Sequence, residues 1–478
     1  MRQFGLLAAA GLLFTAWGQE ATKEPAVNNP NATPSSKKRS TEKPAHRDAG
    51  RVSLKSGASR PRSAGITGNA GGRTIIAKQG MTITRGAAGS RRIVVRRPDQ
   101  SVVVVTSRGQ GYVQRPYGVG CLMCLSAPVH AHDHFVQRTY YAGGAVRVSK
   151  YRTYYYRGIA LQAYVPDRYY SPGFYGWAST PWNAPVVYVW DWADQTWYGY
   201  YSGYFTHSPV YPTPSLWIAD YIISARLAEA YRESDKAEVP PSRDFAYSAG
   251  GFTPEVKLAI AKEVQLQIEA EFTGLQATTS FSNADLPTPS LLSGGKDHVY
   301  VVAEDLDVID DKGDPCVVAA GDAVLAKADP TVNSEAVRIE IVASKGRDCR
   351  AGSTVSIEIS ALQELENQVR EVVDRGLDAL YSNAGRNGLP ALPSSATAPP
   401  QAAAFAGAAP PPDVNVAAEL NEQLRAAEKL EQVLGQTLDE VLTTLGKPRV
   451  IAHVGPKQIY FYDALKVIFV DGRVSAVQ

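Results

Sequence analysis

Two cysteines and three histidines come closest to recognisable chemistry. Cys121-Leu122-Met123-Cys124 is followed by His130, His132 and His134. Two residues between the cysteines let both thiolates reach one ion, and alternate histidines fall on one face of a strand. Thiolate with imidazole favours zinc or copper. Two other readings stay open: a Cys121–Cys124 disulfide, or a connecting loop with no site. The cluster sits between two copies of a short repeat, Tyr112-Val113-Gln114-Arg115 and Phe135-Val136-Gln137-Arg138, which places it in a connection between strands. The other two cysteines, Cys316 and Cys349, fall in one expected β domain. A bridge there closes a loop of about 30 residues, is worth about 3–4 kcal/mol in the chain-entropy model, and would be structural.

No catalytic set emerges. Gly-x-Ser-x-Gly, a phosphate loop and His-Glu-x-x-His do not occur in the sequence. His207, His298 and His453 are isolated along the chain and read as structural groups. Glu304, Asp305, Asp307, Asp310, Asp311 and Asp314 form an acidic run without EF-hand spacing, which reads as a solvated turn. Apart from a possible zinc ion at the Cys/His cluster, no cofactor is expected.

Aromatic residues are concentrated. Six of the seven Trp lie between Trp177 and Trp217, and 17 of the 25 Tyr between Tyr140 and Tyr221. Such rings stack on sugars, flat ligands and cations, which makes Trp177, Trp190, Trp192 and Trp197 candidate binding residues. The competing reading is a packed hub. Pro172, Pro181, Pro185, Pro209, Pro212 and Pro214 leave little room for long regular strands there.

The elements around these residues suggest an exported, multidomain α+β protein. Residues 1–18 have the form of a signal peptide, with Arg2, an apolar run from Gly5 to Trp17 and small residues at Ala16 and Gly18. Residues 19–68 are polar, Pro-punctuated and expected to be disordered. Charge is segregated: Glu20 to Gln110 holds 18 Lys and Arg against five Asp and Glu, and the rest of the chain is acidic, so the net charge of +2 conceals a basic N-terminal segment. That segment serves either as a tether or as a contact with an anionic surface. Residues 72–245 carry short β-branched runs, hairpin turns, the aromatic block and a terminal helix. Arg residues at the strand ends are expected to keep those edges from pairing with other chains. Thr253 and Pro254 open a helix over 253–272. Residues 297–381 read as a small β-barrel followed by a helix, and resemble a bacterial SH3-like barrel in strand number and turn placement. Residues 382–412 are Pro/Ala-rich and read as a linker. Residues 413–478 read as a C-terminal two-layer α/β domain, its first helix turning Leu420, Leu424, Ala427 and Leu430 inward.

The end of the chain carries the most distinctive pattern. Gly435-Gln436-Thr437 leads into Glu440, Leu445-Gly446-Lys447-Pro448 stops a helix, and Tyr460-Phe461-Tyr462 and Val467-Ile468-Phe469-Val470-Asp471-Gly472-Arg473-Val474 follow. Thr437 and Glu440 have capping-box spacing, and Asp471-Gly472 signals a tight hairpin. These residues resemble the BamE/SmpA/OmlA domain, which has a Gly-x-Thr start, a Leu-Gly-x-Pro stop and a Val-x-Phe-x-x-Gly-x-Val hairpin. The resemblance covers about 45 to 65 residues. It implies a protein-docking module of the bacterial envelope, known in that family from outer-membrane protein assembly. Members are usually lipid-anchored through an N-terminal Cys, which this sequence lacks. The rest of the chain resembles exported bacterial proteins with a Tyr/Trp-rich centre.

The expected function is therefore non-enzymatic: an exported protein of the periplasm or outer membrane that docks or scaffolds. A glycan- or metal-binding envelope module is the alternative. Expected partners are envelope proteins or a cell-surface polymer; nucleic acid is not expected.

Overall fold

A computed structural model describes residues 73–76, 80–86, 90–106, 109–118, 134–156, 158–233, 250–279, 295–327, 336–345, 349–462 and 465–477. The expected signal peptide and the basic segment at 19–68 lie outside these residues. The protein contains both helices and sheets.

β1 (Arg73–Ile76), β2 (Met81–Arg85), β3 (Arg91–Arg96), β4 (Val102–Thr106), β5 (Gly111–Gly118), β6 (His134–Ala142), β7 (Ala145–Tyr156) and β8 (Ile159–Val165) form one antiparallel meander in chain order. β-Branched residues favour these strands, and positive-φ Gly80, Gly109 and Gly158 stand in described turns, whereas Gln100 takes that conformation between β3 and β4. Gly143 and Gly144 both have positive φ and join Ala142 to Ala145 in a two-residue hairpin. The two repeat copies lie side by side as β5 and β6, with Gln114 opposite Arg138.

β9 (Arg168–Tyr169) leads into the aromatic block. Ser171 caps α1 (Pro172–Ser179) by accepting from the Phe174 amide at 3.2 Å, and Pro172 suits the first turn. α2 (Thr196–Tyr200), α3 (Pro214–Glu233) and α4 (Pro254–Thr279) follow. β10 (His298–Val301), β11 (Leu306–Asp310), β12 (Pro315–Val318), β13 (Ala323–Ala326), β14 (Ala336–Ala343) and β15 (Thr354–Glu358) make a six-stranded sheet ordered β10-β13-β14-β15-β11-β12. Where a small β-barrel was expected, hydrogen bonding among the described residues runs from β10 at one edge of this sheet to β12 at the other without closing a ring. Val318, Val324, Ile341 and Val355 bury its inner face.

α5 (Ile359–Asn383) is central. One stripe, including Leu362, Val369, Val372 and Leu377, enters a core that runs without a break from Leu161 to Ala396. This core takes in the aromatic block, α3, α4 and the six-stranded sheet. The segments expected as separate domains at 72–245, 253–272 and 297–381 thus share one interior, because each leaves an apolar face that only the others cover.

Residues 382–412 are packed, contrary to the expectation of a linker. β16 (Gln401–Ala402) pairs with β9, Phe405 stacks on Phe135 at 5.0 Å, and Leu389, Ala396 and Ala403 are buried. The proline-fixed backbone costs little entropy to order, and its few apolar side chains each find a site.

α6 (Val416–Val433) and α7 (Leu438–Leu445) precede β17 (Val450–Val454), β18 (Lys457–Phe461), β19 (Lys466–Val470) and β20 (Arg473–Val477), a four-stranded antiparallel meander. α6 belongs to two cores. Val416, Leu420 and Ala427 cover Ile83, Ile93, Val103 and Val105 of the eight-stranded sheet, while Leu430 and Leu434 also pack on the C-terminal unit. Leu420 and Ala427, expected to face a C-terminal domain, face the hairpin sheet instead. Arg85 and Arg91 reach Glu431 at 2.9 Å, and Arg97 pairs with Glu419. These strand-end arginines thus clamp α6 as well as lining strand ends.

Candidate docking interface

The aromatic candidates are interior. Trp190 stacks on Trp192 and on Trp217, each at 4.9 Å, and Trp192 packs against Trp197 at 5.3 Å. Trp190, Trp192 and Trp197 are buried, and Trp177 is half-buried against Phe174 and Trp182. The indole of Trp190 donates to the Tyr211 hydroxyl at 2.7 Å, and that hydroxyl donates to Asp220 at 2.8 Å. Asp220 is itself paired with Lys257 at 2.9 Å. A surface for stacking ligands is therefore not what Trp190, Trp192 and Trp197 form. Six large rings close in sequence bury one another because water is the poorer solvent for them.

Cys316 and Cys349 are joined in a disulfide with Cα atoms 5.4 Å apart. Cys121, Cys124, His130 and His132 lie outside the described residues. His134 opens β6 opposite Gly118. Among the described residues, no three His, Cys, Asp or Glu side chains are arranged to hold a metal ion.

Of the isolated histidines, His298 and His207 pack against neighbouring side chains, and His453 is exposed on β17. His298 is buried 2.9 Å from Glu263, and although burial disfavours its charge, the hydrogen bond to Glu263 holds its pKa above the usual value. His207 stacks on Tyr198. The acidic run divides: Asp310 accepts from the Lys312 and Asp314 amides as a turn residue, but Asp307 is buried and Glu304 half-buried, and burial raises the Glu304 pKa. Only part of the run is a solvated turn.

A buried polar seam was not foreseen from sequence. The second stripe of α5, with Gln363, Asn367, Glu371 and Asp374, runs along β7 and β8. Asn367 accepts from the Tyr164 amide at 2.8 Å and donates to the Gln162 carbonyl at 2.7 Å, so one side chain satisfies two backbone groups on the free edge of β8. Tyr154 donates to Gln363 and Tyr151 to Glu371. Tyr164 donates to Asp374 at 2.8 Å. Arg138 lies between the Tyr112 and Tyr151 rings, at 4.6 and 4.1 Å, and donates to Glu364, Gln114 and Gln162. Burial opposes its charge, yet Glu364 and the neighbouring tyrosines hold its pKa well above the ordinary value. Burial raises the pKa of Glu271 and of Asp374, and the Asp374 charge adds to the rise at Glu271. A helix after the small β domain was expected, but a polar stripe on it looks the same whether it meets water or a tyrosine-rich strand edge.

The C-terminal sheet is different, because apolar positions occupy both of its faces. Thr437 and Glu440 form the capping box of α7, with the Thr437 amide 2.7 Å from Glu440 Oε2. Gly446, with φ +77°, ends the helix. The face toward the helices buries Tyr460, Val467, Phe469, Val474 and Val477 with Val433 and Val441. On the opposite face, register groups Val450 and Val454 of β17 with Ile459 and Phe461 of β18 and Ile468 and Val470 of β19. None of these six packs into a buried cluster among the described residues. Val450 and Val454 are 57% and 58% exposed. Lys457 and Lys466 share this face. β17 forms an edge, paired only with β18 among the described strands. The two-residue turn at Gly455-Pro456 makes Val454 and Lys457 a hydrogen-bonded pair, so Ile451 and His453 aim their backbone groups away from β18.

No helix among the described residues is long and apolar enough to cross a membrane. Compared with known proteins, the chain matches no family model, no curated protein and no solved structure.

Proposed function

We propose that this is a non-enzymatic, exported cell-envelope protein that works as a scaffold, with its C-terminal four-stranded sheet as the docking face for another protein. One observation carries the reading: Val450 and Val454, which are exposed, share an apolar face with the half-buried Ile459, Phe461, Ile468 and Val470, beside a strand edge that no described strand pairs. A soluble surface seldom leaves so contiguous an apolar patch without a use. α6 supports the same reading, because its two-sided packing fixes the C-terminal sheet to the larger body, as presentation to a partner requires. The resemblance of residues 435–474 to an envelope docking domain agrees with it. Export rests on the form of residues 1–18. The test is site-specific photocrosslinking in cells that produce the protein. A photoreactive residue at Phe461 should give a discrete protein adduct, and one at buried Phe469 should not. Equal, background-level labelling at both positions, with recovery of the protein alone, sinks the proposal.

A further inference from the structure

We propose that Arg147 of β7 and Arg375 of α5, with Arg226 of α3 behind them, form a binding site for a phosphate group carried by an anionic ligand. The site lies on other elements than the C-terminal sheet and does not depend on the docking reading.

Three guanidinium groups meet where α3, α5 and the β6–β7 hairpin come together. Arg226 is buried and fixed: it donates to Glu229 at 3.1 Å and to the Gln368 carbonyl at 2.6 Å. Arg147 lies over the Tyr140 ring at 4.4 Å and pairs with Glu371. Its contacts with Glu371 and Ser149 use one terminal nitrogen, Nη1, and its side chain is 38% exposed. Arg375 stands one helical turn beyond Glu371, on the same side of α5. α3 approaches closely there, since a Cβ on the adjacent Gly376 would lie 3.0 Å from Ile218 and 3.3 Å from Tyr221. Arg375 is exposed, and among the described residues its guanidinium has no hydrogen bond or ion pair. The neighbouring α5 acids are engaged elsewhere, Asp374 by Tyr164 and Asp378 by Arg168.

The like charges feel one another. The Arg226 pKa falls to about 10, first through burial and then through the charges of Arg375 and Arg147, with Glu229 opposing. Three cations thus face two carboxylates, Glu229 and Glu371, and the unmatched charge sits at the accessible end. That crowding destabilises the free protein and is relieved by an anion. The two reachable guanidinium forks come from different elements. A carboxylate has two oxygens and fills one fork, whereas a phosphate group has acceptors enough for both.

The test compares the whole protein with the Arg375→Gln variant, whose altered side chain is exposed and unpaired. Thermal unfolding is read in sodium phosphate, sodium acetate and sodium chloride at equal pH and ionic strength. Phosphate stabilises folded proteins in general by exclusion from their surface, so the quantity that counts is the difference between the two proteins. In chloride the variant should unfold at the same temperature as the unaltered protein or higher, because a crowding charge is gone. In phosphate the unaltered protein should gain more than the variant, and acetate should give no such difference. Broadening of the inorganic phosphate phosphorus resonance should show at least about tenfold weaker binding to the variant. Flotation with phosphatidylglycerol vesicles that the variant loses assigns the phosphate to a lipid headgroup. Binding of inorganic phosphate without flotation assigns it to a soluble or polymer-borne group. Equal phosphate gains in the two proteins overturn the proposal, as does an acetate difference as large as the phosphate one. A variant destabilised equally in all three salts gives Arg375 a structural role and also overturns it.

Discussion

Arg138 of β6 and Glu364 of α5 form a buried ion pair at 2.7 Å, their side chains only 4% and 9% exposed. The pair joins the eight-stranded sheet to the helix at the centre of the main core. Removing either charge strands the other without water. Glu364→Ala is expected to lower stability by about 3–5 kcal/mol. The Arg138→Met/Glu364→Leu double variant should recover much of that loss, since an apolar pair of similar volume leaves no stranded charge. Denaturant unfolding of the three proteins measures both effects. A double variant as unstable as the single one would show that the guanidinium is needed for its tyrosine and glutamine contacts rather than for the pair.

Glu271 and Asp374 set a pH dependence. Burial raises the Asp374 pKa to about 6 and, with the Asp374 charge, the Glu271 pKa to about 8. Both acids therefore favour the neutral form in the folded protein. The corresponding stability is complete below the ordinary carboxylate range and is lost as pH rises through the raised values. The unfolding midpoint should fall between about pH 5 and pH 8, and Glu271→Gln should flatten the upper part of that fall. A profile identical to that of the unaltered protein rules out Glu271 as the source.

The Cys316–Cys349 disulfide spans 33 residues of the six-stranded sheet region. Replacing both cysteines by serine should cost about 3–4 kcal/mol, mostly by freeing the unfolded chain. Thermal unfolding of the double variant measures this. A midpoint equal to that of the disulfide-bonded protein would place the constraint elsewhere.

Residues 382–412 should behave as part of the folded body. Phe405 stacks on Phe135, and the Ala403 amide bonds the Asp167 carbonyl at 2.9 Å. Limited proteolysis should spare this stretch until global unfolding, and Phe405→Ala should destabilise by about 3–5 kcal/mol. Rapid cleavage within the stretch under native conditions would restore the linker reading.

The buried rings predict a spectroscopic result. Trp190, Trp192 and Trp197 should be poorly quenched by acrylamide in the folded state, and soluble glycans should leave their emission unchanged. Glycan-dependent quenching that disappears in a Trp190→Phe variant would return the aromatic block to a binding role.

The sequence by itself determined much of the local structure. Pro254 starts a helix, Thr437 and Glu440 cap one, and Gly143-Gly144 and Asp471-Gly472 turn hairpins. These signals act within a few residues, through fixed dihedral angles and nearby hydrogen bonds. Tertiary structure alone decided what each face meets. Asn367 seals the edge of β8, Glu431 is clamped by arginines 340 and 346 residues away, and Leu420 packs on the hairpin sheet rather than within the C-terminal unit. The same decision left Val450 and Val454 exposed while it buried Trp190, Trp192 and Trp197. A side chain's type sets the cost of leaving it in water, but whether it stays there depends on which distant element arrives to cover it.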